Sequence, residues 1–295
     1  MTWAFLALLA VFLWACSNIV DKYVLSKLIS NPAVPLIIWS AVGFIVGLTF
    51  FVLRIAEPAP WSIVFWALGG GVLAAGSVLC YFKAVSIADI SRVVPLYYLS
   101  PIFVAALAGF FLGEIFTLST YIGIFMVVSG AILLSQPGSI RFIGGRPLGI
   151  MLCGSFLYGA GEVLNKYLLQ FASVSTLFAY MRIGAFLVCL PLFFKYLPVL
   201  KKVYRERGAG LYGLLSANEL LFGLSGTFVL IMAVNNGPVT LVNAMASFQP
   251  FFVLLFSVVI SIFRPHILKE EITRSNIIMK FCAILLMFTG AILVN

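Results

Sequence analysis

Phe12-Leu-Trp-Ala-Cys-Ser-Asn-Ile-Val-Asp-Lys-Tyr-Val-Leu25 returns 144 residues later as Phe156-Leu-Tyr-Gly-Ala-Gly-Glu-Val-Leu-Asn-Lys-Tyr-Leu-Leu169, with Phe, Leu, Lys, Tyr and Leu identical. Further along, Ala84-Val85, Val93, Pro101, Phe103 and Val104 recur at a shift of 149 as Ala233-Val234, Val242, Pro250, Phe252 and Val253. Gly130-Ala-Ile-Leu133 recurs at 160 as Gly290-Ala-Ile-Leu293. The shift grows only across polar connections, so the order of elements is kept and the loops absorb the insertions. The chain is therefore a duplication, with one copy over 1–136 and the other over 147–295.

Composition decides the solvent. With 63% hydrophobic residues, 9% charged residues and a mean hydropathy of +1.17, the chain cannot present a soluble surface. A membrane span needs about 20 apolar residues. Ten segments meet that requirement, at 2–24, 35–54, 61–83, 89–111, 117–135, 147–170, 174–194, 209–235, 238–263 and 275–294. They are too long for outer-membrane strands and lack period-2 alternation, so helices must satisfy their backbones in lipid. Five spans fall in each copy, and an odd number inverts the second copy relative to the first. The expected fold is an all-α integral membrane protein of ten transmembrane helices, built as two inverted five-helix repeats around a central cavity, with cargo held between the halves near mid-membrane. The first helix has no basic stretch before it and no small-residue cleavage site after it, and reads as a retained span.

The remaining features exclude other classes. Lys195 to Gly208 is the longest polar stretch and reads as a loop too short to hold a core. Cys16, Cys80, Cys153, Cys189 and Cys282 lie within spans without CxxC spacing and read as buried small apolar residues, with no disulfide, metal or cofactor implied. Gly69-Gly-Gly71 sits inside an apolar span with no Lys-Ser/Thr after it, which excludes a phosphate-binding loop and points to close helix contact. The net charge of +9 does not indicate nucleic acid. Counted by position along the spans, 15 of the 18 Lys and Arg fall on the side opposite the N-terminus, which the positive-inside rule makes cytoplasmic, leaving both termini outside.

Tyr81-Phe-Lys-Ala-Val-Ser-Ile-Ala-Asp-Ile-Ser-Arg-Val-Val-Pro-Leu96, Ser100-Pro101-Ile-Phe-Val, Phe111-Leu-Gly-Glu114 and Gly130-Ala-Ile-Leu-Leu134 together resemble the EamA domain of the drug/metabolite transporter superfamily. The second copy keeps Ala233-Val234, Gly237-Pro238, Gln249-Pro250 and Gly290-Ala-Ile-Leu293, but has an Arg264–Arg274 loop where the first has Leu-Gly-Glu. The resemblance implies a multi-pass secondary transporter of the cytoplasmic membrane, with a cavity lined by the first four helices of each half. It also implies cytoplasmic termini, against the charge count. It names no substrate.

A charge at mid-span costs about 2.5–3.5 kcal/mol on insertion scales, so an intramembrane ionisable residue is a functional candidate. Glu162 and Arg182 lie equally far from the turn near residue 172, so they sit at similar depth on adjacent helices. They read either as a structural ion pair or as groups freed to bind cargo. Tyr158, one turn before Glu162, shares its face, and the first copy has Trp14 and Asn18 there. Glu219, beside Asn218, has no base in its own span, and a lone carboxylate of this kind suits proton coupling. Asn243 and Gln249 are uncharged candidates, one of which is expected only to pack. Lys83 and Arg92 read as snorkelling residues or as a basic cavity mouth. Pro101 and Pro250 are expected to loosen helices four and nine at matched positions.

These features predict a secondary transporter of a small polar metabolite, an amino acid or other zwitterion, working by alternating access with proton coupling. The expected partners are a small-molecule substrate and the lipid bilayer, and the expected assembly is a monomer, with a dimer as the alternative. A membrane-embedded enzyme or flippase acting on a lipid-linked substrate is the competing class. Such an enzyme needs clustered carboxylates or histidines, whereas the acids here are isolated and the single histidine, His266, is in a loop.

Overall fold

A computed structural model describes residues 2–29, 31, 33–88, 90–136, 144–263 and 274–294. His266 and most of the Arg264–Arg274 loop lie outside the described residues. Every regular element among those described is helical: α1 (Thr2–Lys27), α2 (Ala33–Val52), α3 (Trp61–Val85), α4 (Ile90–Tyr97), α5 (Ser100–Leu112), α6 (Leu118–Leu134), α7 (Arg146–Leu168), α8 (Val174–Asn218), a π-helical turn (Glu219–Gly223), α9 (Leu224–Asn236), α10 (Val239–Ala246), α11 (Gln249–Phe263) and α12 (Arg274–Val294). Seven helical stretches among them are long and apolar enough to cross a membrane, one being the 63-residue run Val174–Asn236, and Leu118–Leu134 and Ile278–Val294 are shorter apolar helices. The chain is an integral membrane protein. Large apolar side chains on its outer face, such as Trp61 (86% exposed) and Phe110 (82%), suit lipid.

Helices pair across the two copies. α1 packs on α9 and α11, α3 on α7 and α8, α2 on α8, α5 on α7, and α6 on α12. Glycines set the closest approaches: a Cβ on Gly71 would strike the Met181 carbonyl and one on Gly184 the Leu68 carbonyl. At the α6–α12 crossing, a Cβ on Gly123 would lie 2.7 Å from the Gly290 carbonyl, so only bare backbone fits. Gly71 thus has the contact role expected of its glycine run.

Three sequence expectations are corrected. Lys195–Gly208 is not a loop, because α8 runs through it and breaks only at Gly208, whose φ of 74° is left-handed. The stretch is amphipathic. Leu200 and Val203 are buried in a cluster with Val24, Ile29 and Ile37, while Lys202 and Glu206 face outward at i, i+4. Pro101 and Pro250 are not mid-helix hinges. The fourth and ninth spans are each broken, between α4 and α5 and between α10 and α11, and each proline is the second residue of the following segment, where its missing N–H costs nothing. At both breaks the chain tightens into i to i−3 bonds, Tyr98 to Pro95 and Leu99 to Leu96 in one, Ser247 to Ala244 and Phe248 to Met245 in the other. These residues match at the shift of 149. Finally, Cys153 and Cys282 are exposed on the outer surface, whereas Cys189 is buried; all five cysteines are free.

The turn between α9 and α10 is held by two charges. Lys166 Nζ on α7 donates to the Val234 and Gly237 carbonyls (2.8 and 2.9 Å), answering the C-terminal end of α9. Glu114 accepts from the Val239 and Thr240 amides (2.8 and 3.0 Å), answering the first N–H groups of α10 from the other copy. Each charge meets the helix-dipole end that favours it. Glu114 therefore has a structural reason within Leu-Gly-Glu, and Gly113, at φ 69°, turns the chain so that the carboxylate arrives. Glu114→Ala should lower stability by about 1–2 kcal/mol, the scale of a lost N-cap, with Glu114→Gln intermediate; thermal unfolding in detergent measures it.

Candidate functional site

A cavity of about 310 Å³ lies between the halves, walled by α1, α2, α3, α4, α7, α8, α9, α11 and the π turn. Of the residues singled out from sequence, Asn18, Tyr158, Glu162, Arg182, Glu219 and Gln249 line it. The other four do not. Asn218 is buried behind the wall, and its Nδ2 donates to Ser17 Oγ (3.0 Å) and Asp21 Oδ1 (3.1 Å). Asn243 donates to Val239 O in its own helix and packs. Lys83 is exposed, and Arg92 is half-buried away from the lining.

The charged members are buried but not bonded to each other. Glu162 is 8% exposed, Arg182 3% and Glu219 7%. No ion pair within 4.0 Å joins Glu162 to Arg182, so the direct pair drawn from their matched depth is open in this structure. Glu162 Oε2, Glu219 Oε2 and Arg182 Nε all lack a hydrogen-bond partner. Buried polar atoms are normally satisfied, so orphaned atoms of both signs around one cavity set it apart as the candidate site. Arg182 is seated by aromatic faces and glycine. Its guanidinium carbon is 5.2 Å from the Trp39 ring centroid and 5.5 Å from that of Phe178, and its stem runs past Gly43 and Gly47 of α2.

Glu219 opens the π turn. Widening by one residue re-aims side chains and frees carbonyls, and such turns gather at functional sites. The Gly223 carbonyl is answered by Trp14 Nε1 (3.1 Å) from α1 and by the Thr227 hydroxyl (3.0 Å), and Ser225 Oγ reaches Leu220 O (2.9 Å). Trp14 also lies where a Cβ on Gly226 would be. The Glu219 carboxylate folds back over Gly223, in the space a Cβ there would take.

Sequence reading missed Asp21, and with it Ser17, Trp39, Tyr81, Tyr97 and Thr227, all of which line the cavity. The signal for Asp21 was present: it stands three residues after Asn18 on the same face and aligns with Asn165 at the shift of 144. Tyr97 stands at the end of α4 with its ring 5.4 Å from that of Tyr158. Its neighbours in space come from chain breaks that apolar composition does not announce.

A sequence profile described as the EamA-like transporter family matches residues 1–136. A protein of Sinorhizobium sp. described as an uncharacterized transporter in the cobO 3' region is 33% identical over 138 residues, covering 45% of this chain and 96% of that protein. A crystal structure with 14% sequence identity superposes at a TM-score of 0.74, covering 100% of this chain and 96% of its own, which is a likeness of fold alone.

Because the group nearest to a Gly223 side chain would be the flexible end of Glu219, Gly223→Ala should shift that carboxylate and leave the helix in place. Transport or ligand binding should fall while the melting temperature stays within about 2 °C, a shift worth under about 1 kcal/mol. A large loss of melting temperature would mean that the π turn itself had broken.

Proposed function

This chain belongs to the EamA-like transporter family, and from that membership we propose that it is a secondary transporter of a small polar metabolite, an amino acid or other zwitterion. The observation that carries the reading is the buried cavity with orphaned atoms on Glu162 and Glu219 on one side of the charge balance and on Arg182 on the other. Arg182 would take the cargo's anionic group and Glu162 its ammonium group. Tyr158, Asn18 and Gln249 would complete the wall, and Asn218 would hold it from behind.

The proposed mechanism is alternating access between two inverted five-helix halves, 1–136 and 147–295, ten spans in all. Counting ten requires the 63-residue run Val174–Asn236 to cross twice, divided at Gly208. Support for the repeat comes from the helix breaks matched at the 149 shift and from the way α6 meets α12. The cavity wall includes Asp21 in the C-terminal half of α1, Phe82 in the last turn of α3 and Pro35 and Leu36 in the first turn of α2, so it extends toward one end of the bundle. The α9–α10 turn, clamped by Glu114 and Lys166, is at the other. Rocking of the halves would release that clamp as the opposite mouth closes.

We place both termini outside, following the Lys and Arg count, which puts the Lys195–Gly208 segment in the cytoplasm. An impermeant thiol reagent on intact cells should leave a cysteine introduced into that segment of a cysteine-free variant unlabelled, and strong labelling would reverse the orientation. Proton coupling is assigned to Glu219. Glu219→Gln mimics the neutral carboxyl, so in proteoliposomes it should still exchange cargo but fail to accumulate it under a proton gradient. Wild-type accumulation would remove Glu219 from the coupling step; loss of both activities would make it a binding or folding residue.

A further inference from the structure

The cavity's charge is unbalanced. Asp21, Glu162 and Glu219 line it against a single guanidinium, Arg182, and no lysine is in the lining. This is not a solvated acidic face, because Glu162 and Glu219 are more than nine-tenths buried and each carries an unpartnered Oε2. Arg182 is also partly occupied, its guanidinium lying against Trp39 and Phe178. A cargo carboxylate would have to share that one cation with two aromatic faces and three acids. Three ionised carboxylates beside one guanidinium leave an excess of negative charge that a low-dielectric interior tolerates only if protons or a bound cation compensate it. The walls suit a cation too, since Trp14, Trp39, Tyr81, Tyr97 and Tyr158 offer the ring faces to which ammonium groups are attracted.

Asp21 doubles the imbalance. Without it, two acids and one arginine leave a single excess negative charge. With it, the excess is two, and the added carboxylate is fixed in place by Asn218, whose amide also ties Ser17. Resting on the transporter reading above but replacing its zwitterion with a cation, we propose that the cavity selects organic amines, a protonated amine on an aromatic or apolar body, over the corresponding zwitterions, and that Asp21 strengthens this selectivity.

Phenethylamine, phenylalanine and 3-phenylpropionate share one body and differ in charge, and their affinities for the full-length protein in nanodiscs test the proposal by calorimetry. The amine should bind at least about tenfold tighter than the zwitterion, the scale of one desolvated charge contact, and the acid should not bind. Asp21→Asn should lower the amine-to-zwitterion affinity ratio at least about threefold, chiefly through weaker amine binding. Should that variant fail to fold, Asn218→Ala, which loosens Asp21 without removing its charge, should narrow the same ratio. Equal or tighter binding of phenylalanine would overturn the inference and leave the metabolite-transporter reading standing, as would an Asp21→Asn loss equal for both ligands. No binding of any of the three would overturn the inference, and absence of cargo exchange by wild-type protein in proteoliposomes would overturn the transport reading separately.

Discussion

Hydrocarbon supplies no hydrogen bonds, so every interruption of a membrane helix has to be answered by another part of the same molecule. This chain interrupts its helices repeatedly, at the α4–α5 and α10–α11 breaks, at the π turn and at the α9–α10 turn. The answers are specific. Three-residue turns close the first two, Trp14 and Thr227 meet the Gly223 carbonyl, and Glu114 and Lys166 meet the two helix ends at residues 234–240. The breaks bring Tyr97 and Gln249 to the cavity, and the π turn brings Glu219. Backbone satisfaction and the cavity lining therefore draw on the same few positions.

Buried charge is organised by the same rule with the opposite outcome. Lys166 and Glu114 are bonded to backbone on every side that matters and serve as structure. Arg182, Glu162 and Glu219 keep unpartnered atoms around an open volume. The contrast separates charges tied to backbone from charges left unpartnered at a cavity.

Much of this was legible in the chain before its structure. The all-helical membrane architecture, and the gathering of Glu162, Arg182 and Glu219 at one cavity, follow from apolar run length and from the expense of mid-span charge, which are local properties. The errors arose where local properties mislead. Lys195–Gly208 looks like a loop by composition because its apolar residues, Leu200 and Val203, are few, yet they suffice to seat a helix against α1 and α2. Pro101 and Pro250 looked like kinks because the break that precedes each one leaves no compositional mark. Asp21 was passed over at the polar end of an apolar run, where a charge costs little. Its place in the cavity lining and its bond from Asn218, 197 residues away, put it in the wall. Glu162 and Arg182 both reach the cavity, but equal distance from a turn fixes only height along the membrane and says nothing of azimuth, and α3 packs on both α7 and α8.

The clamp on the α9–α10 turn bears on how the chain is made. Synthesis runs from the N-terminus, so Glu114 and Lys166 are in the bilayer before residues 234–240 emerge. The turn meets its capping groups already waiting, and the last helices assemble on a surface that the earlier ones present. Glu114 comes from the first 136 residues and Lys166 from the stretch after residue 146, so both stretches must be in place before the turn is fully capped.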